Sequence, residues 1–441
     1  MNLRALLAGA GESWESGVVR TLQAPGSPVA LVRRCVDVAD AVATAASGQA
    51  DVVLLGRDLP GVDVDAVSRL RHDGVLPVLL HATPGPDTTA LAALGERARR
   101  LGVPLLDCST PDLAGRLLAA VTADRSTAGS GDRTALGLDG GPGRVPSSLD
   151  GMPATGLPTS PGQLVAVWGP TGAPGRSTVA LNLAVEAATL GTRTLLIDAD
   201  VYGGAIAPML AVLDEVSGLL AAARAANVGA LDRAALLGHA RLVTAGLSVL
   251  TGLPRADRWP QLRPGAFAAV LAAARLCADL VVVDCGFSLE SDEELVFDVA
   301  APRRNGATLQ ALEDAEVVLA VGAADPVGLM RLARGVVDLA EAVPGADVRV
   351  VVNRVRPSLG WSTEEVTATV QRFTGLLPIA FLPVDVTGLD RALVTGRTLR
   401  DAAPESPLRR ELQLLAGDLL QVTVRDRRGR RLAHRVPGRT L

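Results

Sequence analysis

A glycine-rich loop, V-W-G-P-T-G-A-P-G-R-S-T from Val167 to Thr178, follows an apolar run, Leu164 to Trp168, and leads into a helical one, Thr178 to Leu190. Strand, glycine-rich loop and helix in that order let backbone N–H groups and a helix N-terminus hold phosphate. Gly172 and Gly175 allow the backbone to approach a phosphate closely. Ser177 is placed to ligate Mg²⁺. Ala173, Pro174, Arg176 and Thr178 complete the candidate nucleotide-binding loop. A lysine normally sets a point charge on the outer phosphates of such a site. Here Arg176 stands in its place, and all 43 Lys plus Arg residues of the chain are Arg.

Three further segments point at the same site. L-L-I-D-A-D ends in Asp198 and Asp200, at the C-terminal end of a predicted strand, which is where α/β sheets bind their ligands. A carboxylate there positions a water or reaches a metal. L-V-V-V-D-C-G is a β-branched run ending in Asp284, the pattern that puts a carboxylate on Mg²⁺ through water. V-V-V-N-R-V places Asn353 and Arg354 at another strand end, and an Asn amide can both donate to and accept from an adenine edge. Singly, each segment has an ordinary structural use: a turn, a helix cap, a strand-end Asn. Their order and their common position at strand ends favour a nucleotide site about ten to one.

Composition sets the frame. At 441 residues the chain is expected to hold two or three domains. Aromatics are only 2% of residues, so Ala, Val and Leu must build the cores. A net charge of −4 excludes a protein whose whole surface binds nucleic acid. Cys35, Cys108, Cys277 and Cys285 form no CxxC pair and read as reduced thiols of a cytosolic protein. No stretch is long and apolar enough to span a membrane, and the N-terminus reads as a first strand, not a leader.

Residues 1–121 alternate short strands, Arg4–Gly9, Val29–Arg33, Asp51–Gly56, Pro77–Leu80 and Val103–Leu106, with helical runs. Five βα units predict a doubly wound parallel sheet. Residues 122–162 are rich in Gly, Pro, Ser and Thr and read as a flexible linker. Residues 163–420 form a second α/β domain, with strands expected at Leu164–Trp168, Thr194–Ile197, Leu247–Thr251, Leu280–Val283, Val317–Val321, Val348–Val352 and Ile379–Leu382. Asp325-Pro326 and Ser406-Pro407 read as a helix cap followed by Pro at the first helical position. Residues 421–441 carry seven Arg, from Arg425 to Arg439, against Asp426.

The order of these motifs resembles the ParA/MinD group of P-loop ATPases over Gln163 to about Leu420, including L-P-V-D, A-L-V-T-G and S-P-L near the end. The resemblance implies ATP and Mg²⁺ as ligands, a homodimer, Asp200 positioning the attacking water, Asp198 and Asp284 around the metal with Ser177, and Asn353 beside the base. It is nearest the CpaE/TadZ pilus-assembly branch, which carries a receiver-like domain in front. Two departures stand out. Thr171 replaces the group's signature lysine, which reaches across the dimer, and Arg176 replaces the Walker lysine. Arg is planar and forked and does not substitute for a compact ammonium. Slow or absent hydrolysis is therefore expected. By the same resemblance the segment Cys285–Asp314 corresponds to the family's γ-phosphate switch, and it reads equally well as a surface insertion with an acidic helix.

In the front domain, D-V-V-L-L-G-R-D-L-P-G resembles the third strand and loop of response-regulator receivers, but Gly56 occupies the phospho-acceptor position. The acidic pair expected after the first strand is replaced by Ala8, Gly9 and Ala10. The domain reads as a flavodoxin-like pseudo-receiver used for docking. The functional expectation is an ATP-binding protein, cytoplasmic or peripheral at the inner face of the membrane, that organises a cell-envelope assembly, either a Tad-type pilus or the septum site. Its partners are envelope-assembly or division proteins met through the front domain. Retained Asp198, Asp200 and Asp284 favour that reading. The loss of both lysines and of the receiver acids favours an inert nucleotide-binding scaffold. DNA partitioning through an Arg-rich surface ranks third; the Arg-rich tail reads first, about two to one, as a disordered, solvated segment, and its charge would give weak attraction to a membrane surface.

Overall fold

The structure is a computed structural model and describes residues 3–9, 11–82, 88–110, 112–128, 160–212, 216–291 and 303–424. Most of the expected linker, the middle of the 285–314 segment and the Arg-rich tail lie outside these residues. The chain divides into two units, each built on its own sheet.

The first unit holds β1 (Leu3–Ala8), β2 (Val29–Cys35), β3 (Val52–Gly56), β4 (Leu76–His81) and β5 (Leu105–Asp107). They pair in parallel in the order β2-β1-β3-β4-β5, a doubly wound arrangement. Alternate residues feed opposite layers, because side chains on a strand repeat every second position. Leu6, Ala8, Val53 and Leu55 pack in one core; Ala5, Leu7, Val52 and Leu54 pack in the other. Helices cover both faces, which is why the central strand β3 is apolar on every residue. Asp37 and Asp63 cap two of the helices through the N–H groups of Asp40 and Ala66. The fifth strand begins two residues later than its apolar run predicts. Val103 donates to Ala98 O and so still belongs to the end of the preceding helix.

The second unit holds β6 (Gln163–Trp168), β7 (Thr194–Ala199), β8 (Arg241–Thr244), β9 (Leu247–Leu250), β10 (Leu280–Cys285), β11 (Val317–Ala323), β12 (Val348–Val355) and β13 (Pro378–Pro383). Their order is β13-β12-β11-β6-β10-β7-β9-β8. All pairings are parallel except that of β8 with β9. The sequence did not signal β8. It is four residues long, opens on two exposed residues and joins β9 by a tight turn through Gly246, so it carries no apolar run.

The helix Arg176–Thr189 lies against the middle of this sheet, with every residue from Val179 to Ala188 buried. Both expected Pro-led helices are present. Asp325 caps Pro326–Ala342 through Gly328 N, and Ser406 caps Pro407–Leu419 through Arg409 N. The strand carrying the glycine-rich loop, β6, sits between β10 and β11, so the acids ending β10 and β7 converge on the loop from one side. No described helix is long and apolar enough to cross a membrane.

Candidate nucleotide site

The loop from Gly169 to Gly175 is held in a conformation that side chains resist. Gly172 and Gly175 have φ of 104° and 101°, and Ala173 has φ of 51°. A non-glycine residue in the left-handed region costs roughly 1–2 kcal/mol, so Ala173 is strained. A Cβ at Gly175 would collide with Asn353 Nδ2, and one at Gly169 with Val321 O. Neighbouring strands thus press the loop into shape. Gly175 is the N-cap of the Arg176–Thr189 helix and offers no side chain to its first N–H groups. Those donors are left for a ligand.

Arg176 turns back into the loop. Its Nη1 donates to Gly169 O at 3.1 Å and Pro170 O at 3.2 Å, and its Nη2 lies 3.5 Å from Asp200 Oδ2. Its guanidinium lies 6.0 Å from the Phe287 ring centroid, and its buried Nε has no acceptor. Asp200 also accepts from Tyr202 N at 2.9 Å and Gly203 N at 3.3 Å. Residues 176 and 200 therefore come together as expected, but as an ion pair with each other.

Asp198 and Asp284 are register partners on β7 and β10. Asp198 accepts from Ile206 N at 3.1 Å. Asp284 is fully buried and neither of its carboxylate oxygens has a hydrogen-bond partner. Burial, reinforced by Asp200, pushes Asp198 up to about 7. Burial and the facing Asp198 hold Asp284 well above the carboxylate range; the Ser177 hydroxyl and Arg176 oppose this only partly. A buried carboxyl with two orphaned oxygens, facing a second buried acid, is a place where a cation would supply the compensating charge. The set Ser177, Asp198 and Asp284 thus fits Mg²⁺, a hard cation that takes few protein oxygens and relies on waters and phosphates for the rest.

On the other side of the loop a cavity of about 400 Å³ opens, within the range of small-molecule sites. Ser177, Thr178 and Asp200 form its polar end. Leu181, Met209, Leu389 and Leu393 give it apolar walls, and Arg354 and Arg397 reach its rim. Arg354, with φ of 59°, lines this cavity; Asn353 does not. The Asn353 amide donates to Pro174 O at 2.7 Å and accepts from Arg354 N at 2.8 Å, so it fastens the loop.

Sequence reasoning missed two groups. The first follows β10. Phe287 O accepts from Trp168 Nε1 at 3.2 Å, and the Phe287 ring lies 4.8 Å from that of Tyr202. Tyr202 donates to Asn305, whose amide donates to Glu290 O. Aromatics are so few in this chain that Tyr202 and Phe287 were themselves a signal. The second group is Asn182, Glu186, Arg400 and Arg409. Asn182 Oδ1 accepts from Leu399 N, and buried Glu186 pairs with Arg400 at 3.0 Å and Arg409 at 3.1 Å. Burial still raises the Glu186 carboxyl against both arginines. Thr178, Asn182 and Glu186, four apart on an otherwise apolar helix, mark this tie.

In the first unit, two acids follow β1 and lie near the end of β3. A Cβ at Gly56 would lie 3.3 Å from Glu12 Oε1, an oxygen without a partner. Glu15 accepts from Gly11 N and Glu12 N and pairs with Arg34 at 2.8 Å. All four cysteines are free.

No protein-family model matches the chain, and a search of curated proteins finds no match. Solved structures do resemble it. A ParA family ATPase from Chlorobium tepidum TLS is 17% identical and aligns over 58% of this chain and 98% of its own, with a TM-score of 0.50. The cell division ATPase MinD of Pyrococcus furiosus is 18% identical over 59% of this chain and 99% of its own, TM-score 0.45. The septum site-determining protein MinD of Pyrococcus horikoshii OT3, solved with Mg-ADP, is 17% identical over 58% and 95%, TM-score 0.45. At such identities a likeness speaks of fold alone, and the first of these carries it: the C-terminal region has the fold of a ParA/MinD-type P-loop NTPase.

Proposed function

We propose that the second unit binds MgATP and works as a slow nucleotide switch, which organises an assembly at the cell envelope, a Tad-type pilus or a septum site, as a homodimer. The observation that carries this reading is the pair of orphaned oxygens of Asp284, buried opposite Asp198 and beside Ser177 at the mouth of a strained glycine loop. A protein with no use for a cation would gain stability by removing that carboxylate. Phosphates would lie on the N–H groups of residues 172–178. Bound Mg²⁺ would offset charge on them, held by Ser177, Asp198 and Asp284. Asp200 would orient the attacking water, once Arg176 moves from it to the phosphates. The base would occupy the apolar end of the 400 Å³ cavity, with Arg354 at its rim. The first unit would dock assembly partners as a pseudo-receiver, since Gly56 offers no oxygen for phosphorylation.

A second reading, a nucleotide-binding scaffold without hydrolysis, is favoured by the same ion pair. While Arg176 holds Asp200 and the loop carbonyls, neither group is available for chemistry. MgATP binding and turnover by the full chain, beside Arg176→Ala and Asp200→Ala, decides between them. Turnover lost in Asp200→Ala establishes an ATPase. Binding without turnover establishes the scaffold. Absence of binding rejects both.

A further inference from the structure

Resting on the reading of the loop as a nucleotide site, we propose that Arg331 binds the outermost phosphate of a triphosphate from within the same chain, and so makes the loop prefer a triphosphate to a diphosphate. Arg331 lies on the Pro326–Ala342 helix, which follows β11 beside the loop strand. Its Nη1 rests over Gly172: a Cβ at that position would collide with it, and Arg331 Cζ would stand 3.3 Å away. The absence of a side chain at residue 172 is therefore what lets this guanidinium touch the loop.

The charge there is uncommitted. Arg331 is exposed, and among the described residues its guanidinium has no ion-pair or hydrogen-bond partner. The carboxylate that shares a cleft with it beside the loop, Asp325, is engaged in capping its own helix at Gly328 N, 2.9 Å away. Arg176, by contrast, is spent on Gly169 O, Pro170 O and Asp200. Thr171 brings no charge. Thr171, Gly172, Asp325, Arg331 and Arg354 line one small cleft on the outer side of the loop. A forked guanidinium at that place matches a terminal phosphate, which presents several oxygens, better than it matches a bridging one. A diphosphate on the same N–H groups would end short of it.

The test compares affinity for ADP and for the nonhydrolysable imido analogue of ATP, with Mg²⁺, in the full chain and in Arg331→Ala, Arg331→Lys and Arg334→Ala. Trp168, buried under the loop, gives the fluorescence readout, with calorimetry alongside. Both arginines are exposed on one helix, so neither variant should unfold the protein, and thermal melts check this. Arg331→Ala is expected to weaken the triphosphate analogue about ten- to a hundredfold, the worth of a charge-assisted hydrogen bond, and to leave ADP within about twofold. Arg331→Lys should fall between, and Arg334→Ala should match the unmodified chain. An unchanged ratio of the two affinities in Arg331→Ala, whether both fall or neither, overturns the proposal. Equal loss in Arg334→Ala also overturns it, as a general charge effect. Failure of the unmodified chain to bind either nucleotide instead rejects the nucleotide site itself.

Discussion

Asp284→Asn should make the nucleotide-free protein more stable, and the gain should grow with pH. The carboxyl is fully buried, faces Asp198 and has no hydrogen-bond partner for either oxygen. Its native titration point stands well above the ordinary value of 3.8. Between those two points the native state holds a proton that the unfolded state has released. Stability then falls with rising pH, by about 1.4 kcal/mol per unit for one proton, and levels off above the native value. At pH 4 the carboxyl costs little. At pH 7 the cost is at its largest in this range, because the native carboxyl is held well above its ordinary value. Asparagine has nearly the same shape and no proton to take up. The melting temperatures of the two proteins should therefore coincide near pH 4 and separate progressively towards pH 7, at about 2–4 °C per kcal/mol for a domain of this size. Differential scanning calorimetry from pH 4 to 8 measures the separation, to which Asp198 contributes because its titration is tied to that of the facing Asp284. Saturating MgATP should reverse the ranking at pH 7, because the substitution removes the ligand that binding requires. A variant that is less stable than the parent at pH 7 without nucleotide, or a difference that does not change with pH, would refute the account of a buried uncompensated acid.

Arg176→Lys restores a compact ammonium with fewer donors for the loop carbonyls, and should raise turnover at least tenfold with ATP affinity little changed; steady-state phosphate release checks it. Equal or lower turnover would mean that Arg176 does not limit hydrolysis. Glu186→Ala leaves Arg400 and Arg409 facing an empty buried site. It should cost about 3 kcal/mol, the low end for a broken buried pair because the Arg400 side chain is 34% exposed, and Glu186→Gln should cost less. Denaturant titration of both variants measures the two costs. Gly322→Ala would drive a methyl into Leu332, with Leu332 Cβ 2.8 Å away, on the helix that carries Arg331. A loss of about 1–3 kcal/mol in chemical denaturation is expected.

The local pattern of residues was enough to determine both sheets and the position of the loop. Runs such as Val52–Gly56 and Leu280–Val283 are apolar on every residue because helices cover both faces, and a run of that kind announces a buried parallel strand without any tertiary information. The caps Asp325 and Ser406 are equally legible, since a capping side chain bonds three residues ahead in its own chain. The short edge strand β8 escaped because exposure on a sheet edge leaves no apolar signature. The three site acids and Ser177 were found by order alone. What their side chains do was decided only by strands far apart in sequence coming side by side. Asp198 and Asp284 become neighbours through the pairing of β7 with β10, which turns two ordinary acids into a buried like-charged pair. The Asn353 amide closes on Pro174, 179 residues away, and is spent on the loop. Arg331, in an unremarkable amphipathic helix, meets Gly172 only because β11 lies next to β6. Residue type and spacing specify which groups are present. Charge coupling and hydrogen bonding fall off within a few ångströms, so which groups act on one another depends on distances that only the folded sheet sets.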